Sequence, residues 1–241
     1  MLIHTWDEGA GDEWRRFAIA QGFGHLVAAG RARDVPVVVP TQFLLGEDDD
    51  VVLHLARPNP IWSAIEENDR VLLSLAGDWA FIPSDWKAID DEDPAWGIPT
   101  TYYAAVQLVG TASIVDDAEG IAAILGAQLA GLQPTTEVVD PRRHGPRLRG
   151  IRGLRIRVDD VRGKFKYGGN VDEAHRRAVA ERLAERDGPG DRAALAHLLD
   201  QLALIFHEAR GQAPHQDGSW SGELCGQLAD QLERARMKDW G

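Results

Sequence analysis

Apolar positions recur every two residues along much of this chain and every three to four along the rest, and the changes of period mark its elements. Residues 12–21 read as a short amphipathic helix, with Asp12 placed to cap it and Gly22 to end it. Residues 23–29 read as a strand, 30–34 as a turn, and 35–45 as a second strand whose Pro36 and Pro40 predict an edge or a bulge. After the acidic turn 46–50 comes a third strand, 51–57. Pro58-Asn59-Pro60 then breaks the pattern and opens a helical turn over 60–67, with Pro60 at the first helical position and Asn59 as its cap. A fourth strand follows at 71–77, continued in extended form by 78–82. Residues 83–99 form a long loop rich in Pro, Asp and Trp, a length that usually signals function or mobility. Residues 101–115 alternate as a long strand, and Asp116 or Asp117 caps a helix running to about Gly131.

The polar, proline-containing run 132–149 is a connection. Residues 151–158 alternate apolar with basic side chains, as a half-buried strand does, and 164–170 form an extended segment ending in a turn. Helices at 172–187 and 191–209, a linker at 211–222 and a last amphipathic helix at 223–236 complete the reading. Short strands with hairpin-length turns predict a mainly β chain with flanking helices, an α+β fold built on a small antiparallel barrel rather than a parallel sheet.

A chain of 241 residues with 44% apolar content can bury a sizeable core in one domain with appendages or in two small domains. No apolar run is long enough to span a membrane. Residues 1–8 are mixed and acidic, without the basic start and apolar stretch of a signal peptide, and Cys225 is the single cysteine. These features predict a cytoplasmic protein. The net charge of −12 disfavours phosphate backbones. Arg142, Arg143, Arg147, Arg149, Arg152, Arg155 and Arg157 do cluster, but no aromatics interleave with them, so they read as a solvated face balancing nearby acids.

Standard catalytic signatures are absent: no phosphate-binding G-x-x-x-x-G-K-[ST], no G-x-G-x-x-G after a strand, no zinc spacing and no G-x-S-x-G elbow. His197 and His207 lie ten residues apart on one helical stretch and point different ways, as ordinary packing or surface histidines do.

Four segments carry chemistry instead. In His54-Leu-Ala-Arg-Pro-Asn-Pro-Ile-Trp62 a strand leads into a helix start bearing Arg57, which can grip a phosphate or simply form a salt bridge beside an ordinary cap. Asp78 to Lys87 sets Trp79, Phe81 and Trp86 beside a strand, for flanking a planar ligand or for core packing. Ile98 to Val106 brings the hydroxyls of Thr100, Thr101, Tyr102 and Tyr103 to a strand entrance. In Gly163-Lys-Phe-Lys-Tyr-Gly-Gly-Asn170 two lysines alternate with aromatics, so both can point one way, onto an anion or onto a polar outer face.

Taken in order and spacing, these segments resemble the PaiB-like FMN-binding negative transcriptional regulators, a branch of the flavin-binding split-barrel proteins. His54, Ala56, Arg57, Asn59, Pro60 and Trp62 match the family's H-x-A-R-x-N-P-x-W; Ile82-Pro-Ser-Asp-Trp86, then Pro99, Thr100 and Tyr103, then Gly163, Lys164, Phe165, Lys166 and Asn170 match the other three stretches. The match covers roughly residues 1–185. Three places depart from the pattern: Thr101-Tyr102 stands for Trp-Asn, Gly168-Gly169 for Ser-Gln, and Asp78-Trp79 for Pro-His.

The resemblance implies an FMN-binding split β-barrel over 1–187 that forms a homodimer with two flavins shared between subunits; it does not cover the region after about 190, and 188–241 read as a C-terminal helical extension. It brings Arg57 forward as the phosphate ligand within a cofactor-binding set of His54, Ala56, Arg57, Asn59, Trp62, Trp86, Thr100, Lys164 and Lys166, the lysines reaching the flavin from the partner subunit. It implies flavin-dependent redox chemistry or flavin sensing, with an FMN-dependent oxidoreductase as one form and no catalytic residue named. The alternative is a transcriptional regulator acting on DNA directly or through a partner. Direct nucleic-acid binding has little support, since no helix-turn-helix is evident and the charge is unfavourable. A third reading makes the C-terminal helices an interaction surface, with packing of 195–206 on the chain's own barrel as its plain counterpart.

Overall fold

A computed structural model describes residues 1–31, 33–87, 93–133 and 137–210. The linker and helix expected at 211–222 and 223–236 lie outside the described residues, as does the side chain of His207.

The described residues hold seven strands interspersed with five α-helices. The strands are β1 (Phe23–Ala28), β2 (Val37–Gln42), β3 (Leu44–Leu45), β4 (Val51–Ala56), β5 (Arg70–Ile82), β6 (Thr100–Val115) and β7 (Ile151–Lys166); the helices are α1 (Glu13–Gln21), α2 (Ile61–Glu67), α3 (Ala118–Leu132), α4 (Glu173–Arg186) and α5 (Asp191–Arg210). They form one sheet in the order β2-β1-β5-β6-β7-β4-β3, with β1–β2, β1–β5, β3–β4 and β4–β7 antiparallel. The chain divides into two compact units: Met1, Gly9–Ala76 and Ala105–Gly163 in the first, Leu2–Glu8, Gly77–Ala104 and Lys164 onward in the second.

In the first unit the predicted second strand is split. Phe43 is buried, and its amide donates to the Gly22 carbonyl at 3.0 Å instead of a ladder partner, so β2 and β3 pair with different neighbours. Pro40 is tolerated because β2 ends the strand order. Gly22 closes α1 in the left-handed conformation, as its lack of a Cβ allows. Asp12 makes no side-chain cap to α1; Glu13 accepts from the Ala10 amide at 3.0 Å instead. Asp117 does cap α3, accepting from Gly120. Leu26, Val51, Leu53, Ile61, Leu73 and Leu108 are fully buried here, and each such side chain contributes about 1.5–3 kcal/mol of hydrophobic stabilisation.

β5 takes in the extended continuation expected at 78–82, while β7 outruns its sequence signal and continues through the charged run 159–163 that separates its apolar halves. In β7 that run sits on an exposed face where Asp159 accepts from Arg70, which also donates to the Thr111 hydroxyl at 3.1 Å, linking β5, β6 and β7. The connection before β7 is 3-10 helical over Pro141–Gly150. The arginine cluster is a salt-bridged surface: Arg142 pairs with Glu119 and Asp140, Arg152 with Asp116 and Glu66, and Arg155 with Asp50.

In the second unit α4 and α5 pack on each other and bury Val179, Leu183, Ala194 and Leu198. Asp172 caps α4, and Asp187 ends it in the left-handed conformation. His197 of α5 lies flat on Tyr167, centroids 4.8 Å apart, so it is a packing histidine. Burial holds its pKa below the ordinary histidine value.

Candidate functional site

The motif residues of the first unit build a tied strand-to-helix junction. His54 on β4 bonds through Nδ1 to the Oε1 of buried Gln128. The indole of Trp62 donates to the Ala56 carbonyl at 2.9 Å, and its ring carries the Arg152 guanidinium at 5.1 Å. α2 begins one residue later than the sequence suggests, with Pro60 at the cap position, yet Asn59 still accepts from the Ile61 amide at 3.1 Å. Arg57 donates from Nε to the Arg149 carbonyl at 2.8 Å, from Nη1 to Asp116 at 3.1 Å and from Nη2 to the Ile151 carbonyl at 3.2 Å. Asp116, held well below the usual carboxylate range chiefly by its hydrogen bonds from Arg152, is thus shared between two guanidiniums.

The motif residues of the second unit surround a cavity of about 570 Å³, within the usual range for small-molecule sites. Its walls include Thr100, Lys164, Lys166 and Asn170, as the alternation along Lys164-Phe-Lys-Tyr predicts: the lysines share one face while Phe165 and Tyr167 are buried on the other. Lys166 donates to the Thr100 hydroxyl at 2.8 Å. Lys164 is almost fully buried, donates to the Leu2 carbonyl at 2.8 Å and pairs with Asp7 at 3.4 Å. Both ammoniums approach the Tyr103 ring, at 5.9 and 6.0 Å.

Trp86 is not among the cavity's lining residues. It lies beneath the guanidiniums of Arg186 and Arg182, at 4.6 and 6.0 Å, and its neighbour Lys87 lines the cavity in its place. Lys87 has a lowered pKa, first from burial and then from the charge of Lys166. Residues that sequence reasoning missed complete the wall: His4, Trp6, Asp7, Lys87 and Trp96. His4 and Trp6 stack at 4.6 Å and are more than 150 positions from the β7 lysines, so no local pattern could have linked them. Lys87 and Trp96 belong to the long loop, whose length was the one available signal.

Tyr102 also lines the cavity and is 1% exposed, with a hydroxyl that has no hydrogen-bond partner among the described residues. Burial pushes its pKa up to about 12, so it stays a neutral phenol.

Comparison with known proteins decides what this arrangement belongs to. Residues 2–160 match the family described as "Putative FMN-binding domain". The chain belongs to this family. Among curated proteins, this FMN-binding family member is 25% identical over 198 residues to protease synthase and sporulation protein PAI 2 of Bacillus subtilis, covering 79% of this chain and 92% of that one. The PaiB-like resemblance read from the four segments is thereby established. Among solved structures, the flavocytochrome Anf3 of Azotobacter vinelandii is similar with a TM-score of 0.54 at 17% identity, over 73% of this chain and 76% of that one. The conserved hypothetical protein Rv2991 of Mycobacterium tuberculosis gives 0.53 at 12% identity, over 72% and 95%. These likenesses place the fold among the split barrels.

FMN is the cofactor of the family. The donor set fits an anionic planar group: the second-unit cavity offers ammonium donors and a hydroxyl together with tryptophan walls. No helix among the described residues is long and apolar enough to cross a membrane.

Proposed function

We propose that this FMN-binding family member works as a homodimeric flavoprotein whose two flavin sites are each built by both subunits. Arg57 takes the phosphate, with His54, Ala56, Asn59 and Trp62 fixing the junction that presents it, and Thr100, Lys164 and Lys166 serve the flavin from the partner chain. Trp86 supports the adjoining loop. The observation that carries the reading is the joint lining of one cavity by Thr100, Lys164 and Lys166, three residues of two separated motifs.

Arg57 must leave Asp116 to meet a phosphate. That pair is a surface one, with side chains 43% and 48% exposed, and such pairs contribute about 0–1 kcal/mol. A charge-assisted bond to a phosphate contributes about 1.5–3 kcal/mol, so exchanging Asp116 for it is favourable provided the bonds to the Arg149 and Ile151 carbonyls are kept. Bound FMN supplies electron-transfer chemistry. The chain binds and orients it: the lysines supply positive charge and Tyr102 lends a neutral wall.

The dimer draws support from β5, where Ala80 and Ile82 are buried on one face while Trp79 and Phe81 are 63% and 48% exposed on the other. A strand apolar on both faces calls for a cover, and a two-fold related copy supplies one. In this reading residues 188–241 form the C-terminal extension, the single Cys225 suits the cytoplasm, and any regulatory effect follows from the flavin rather than from direct DNA contact.

Mixing two variants tests the shared site. Arg57→Ala and Lys166→Gln each bind FMN weakly alone, and mixed dimers recover one intact site. Absence of recovery after subunit exchange would mean that each site draws both residues from a single chain.

A further inference from the structure

The second-unit cavity holds an electrostatic imbalance. Of its three lysines only Lys164 has a carboxylate partner among the described residues, Asp7. Lys166 is bonded to a neutral hydroxyl, and the Lys87 ammonium has no hydrogen bond or ion pair among the described residues. The Lys87 charge also acts on a basic group: His175 of α4 has its pKa lowered by burial and then by Lys87, with Arg182 adding to this and Asp172 opposing it. The Asp172 carboxylate is engaged with the His175 amide, and the His175 Nε2 is buried without a partner among the described residues. Lys87 and Lys166 line one cavity with no acid paired to either among the described residues, and the Lys166 charge disfavours the charged form of Lys87 until an anion arrives.

The rest of the wall defines what carries that anion. Trp6, stacked on His4, stands with Trp96 and Ile98, which are 74% and 79% exposed. Exposed aromatic surface beside convergent cations suits a flat ring bearing an acidic group.

We infer that this cavity also seats a planar aromatic acid, the reaction partner of the bound flavin, with Lys87 on its carboxylate or phosphate and the tryptophans against its ring. The inference rests on the flavin reading above and adds the substrate class to it. With the flavin phosphate at Arg57 and Lys166 serving the flavin, Lys87 remains for a second anion.

The test titrates benzoate, and separately inorganic phosphate, into the FMN-free and the FMN-saturated protein, following tryptophan fluorescence and thermal midpoint. Both anions produce saturable changes in both forms, benzoate the larger. Lys87→Gln weakens each at least about tenfold, the size of one lost charge-assisted bond, while Lys87→Arg retains them. No response in the wild-type protein, or an equal response in Lys87→Gln, overturns the inference. So does loss of the response on FMN saturation, which would give Lys87 to the flavin phosphate. FMN binding is read from flavin emission in the same samples, so its failure counts against the flavin reading while the benzoate comparison between wild type and variant still decides the anion seat.

Discussion

The hydroxyl of Tyr102 occupies the space that a Cβ on residue 168 would need, and Gly168 leaves that space open in a left-handed conformation with φ +77°. The two positions are departures from the family pattern, and they fit as a pair: the larger side chain at 102 requires the smallest at 168. Gly168→Ala therefore combines backbone strain of about 1–2 kcal/mol with overpacking of about 1–3 kcal/mol. Urea denaturation should show that destabilisation, and Tyr102→Phe in the same chain should relieve part of it. Equal losses in the single and double variants would mean that the two side chains do not compete for space.

Lys164 and Asp7 form a pair whose side chains are 9% and 4% exposed. Removing one partner of a buried pair leaves an uncompensated charge, at a cost of about 3–5 kcal/mol. Lys164→Met should lower the thermal midpoint strongly, and Asp7→Asn added to it should restore much of the loss. Additive losses would contradict the pairing.

The histidines of the second unit set a pH response. His197 and His175 both have folded pKa values below the ordinary 6.5, each from burial first. The unfolded chain then binds more protons than the folded one between those two pKa values, so stability is full above about pH 6.5 and falls as the pH drops below it. His197→Phe, which keeps a ring on Tyr167, should flatten part of the decline in thermal midpoint between about pH 7 and 5, leaving the His175 share. An unchanged slope would remove His197 from that response.

The fold was largely legible because period-two and period-3.6 patterns are local. α4 and α5 were found to within a residue or two, and Lys164 and Lys166 were placed on one face by alternation alone. What escaped was set by distant partners. The charged middle of β7 looks like a break until Arg70 and Thr111 supply its neighbours. Phe43 splits a strand by donating to Gly22, and Leu2 and Asp7 reach Lys164 from the other end of the chain. Arg57 was legible as a phosphate-binding residue type, but its bonds to Asp116, Arg149 and Ile151 were not.

Arg57→Ala should weaken FMN binding roughly ten- to hundredfold, since one charge-assisted contact is lost, while costing only about 1–3 kcal/mol of stability, because its ion pair is exposed and two exposed hydrogen bonds to the Arg149 and Ile151 carbonyls go with it. A large loss of stability with FMN affinity intact would assign Arg57 to the scaffold.

The most direct test of the account is a titration of the FMN-free protein with FMN, followed by flavin fluorescence. The account predicts saturable quenching at one flavin per chain. Flavin emission unchanged at a large excess of protein would contradict it.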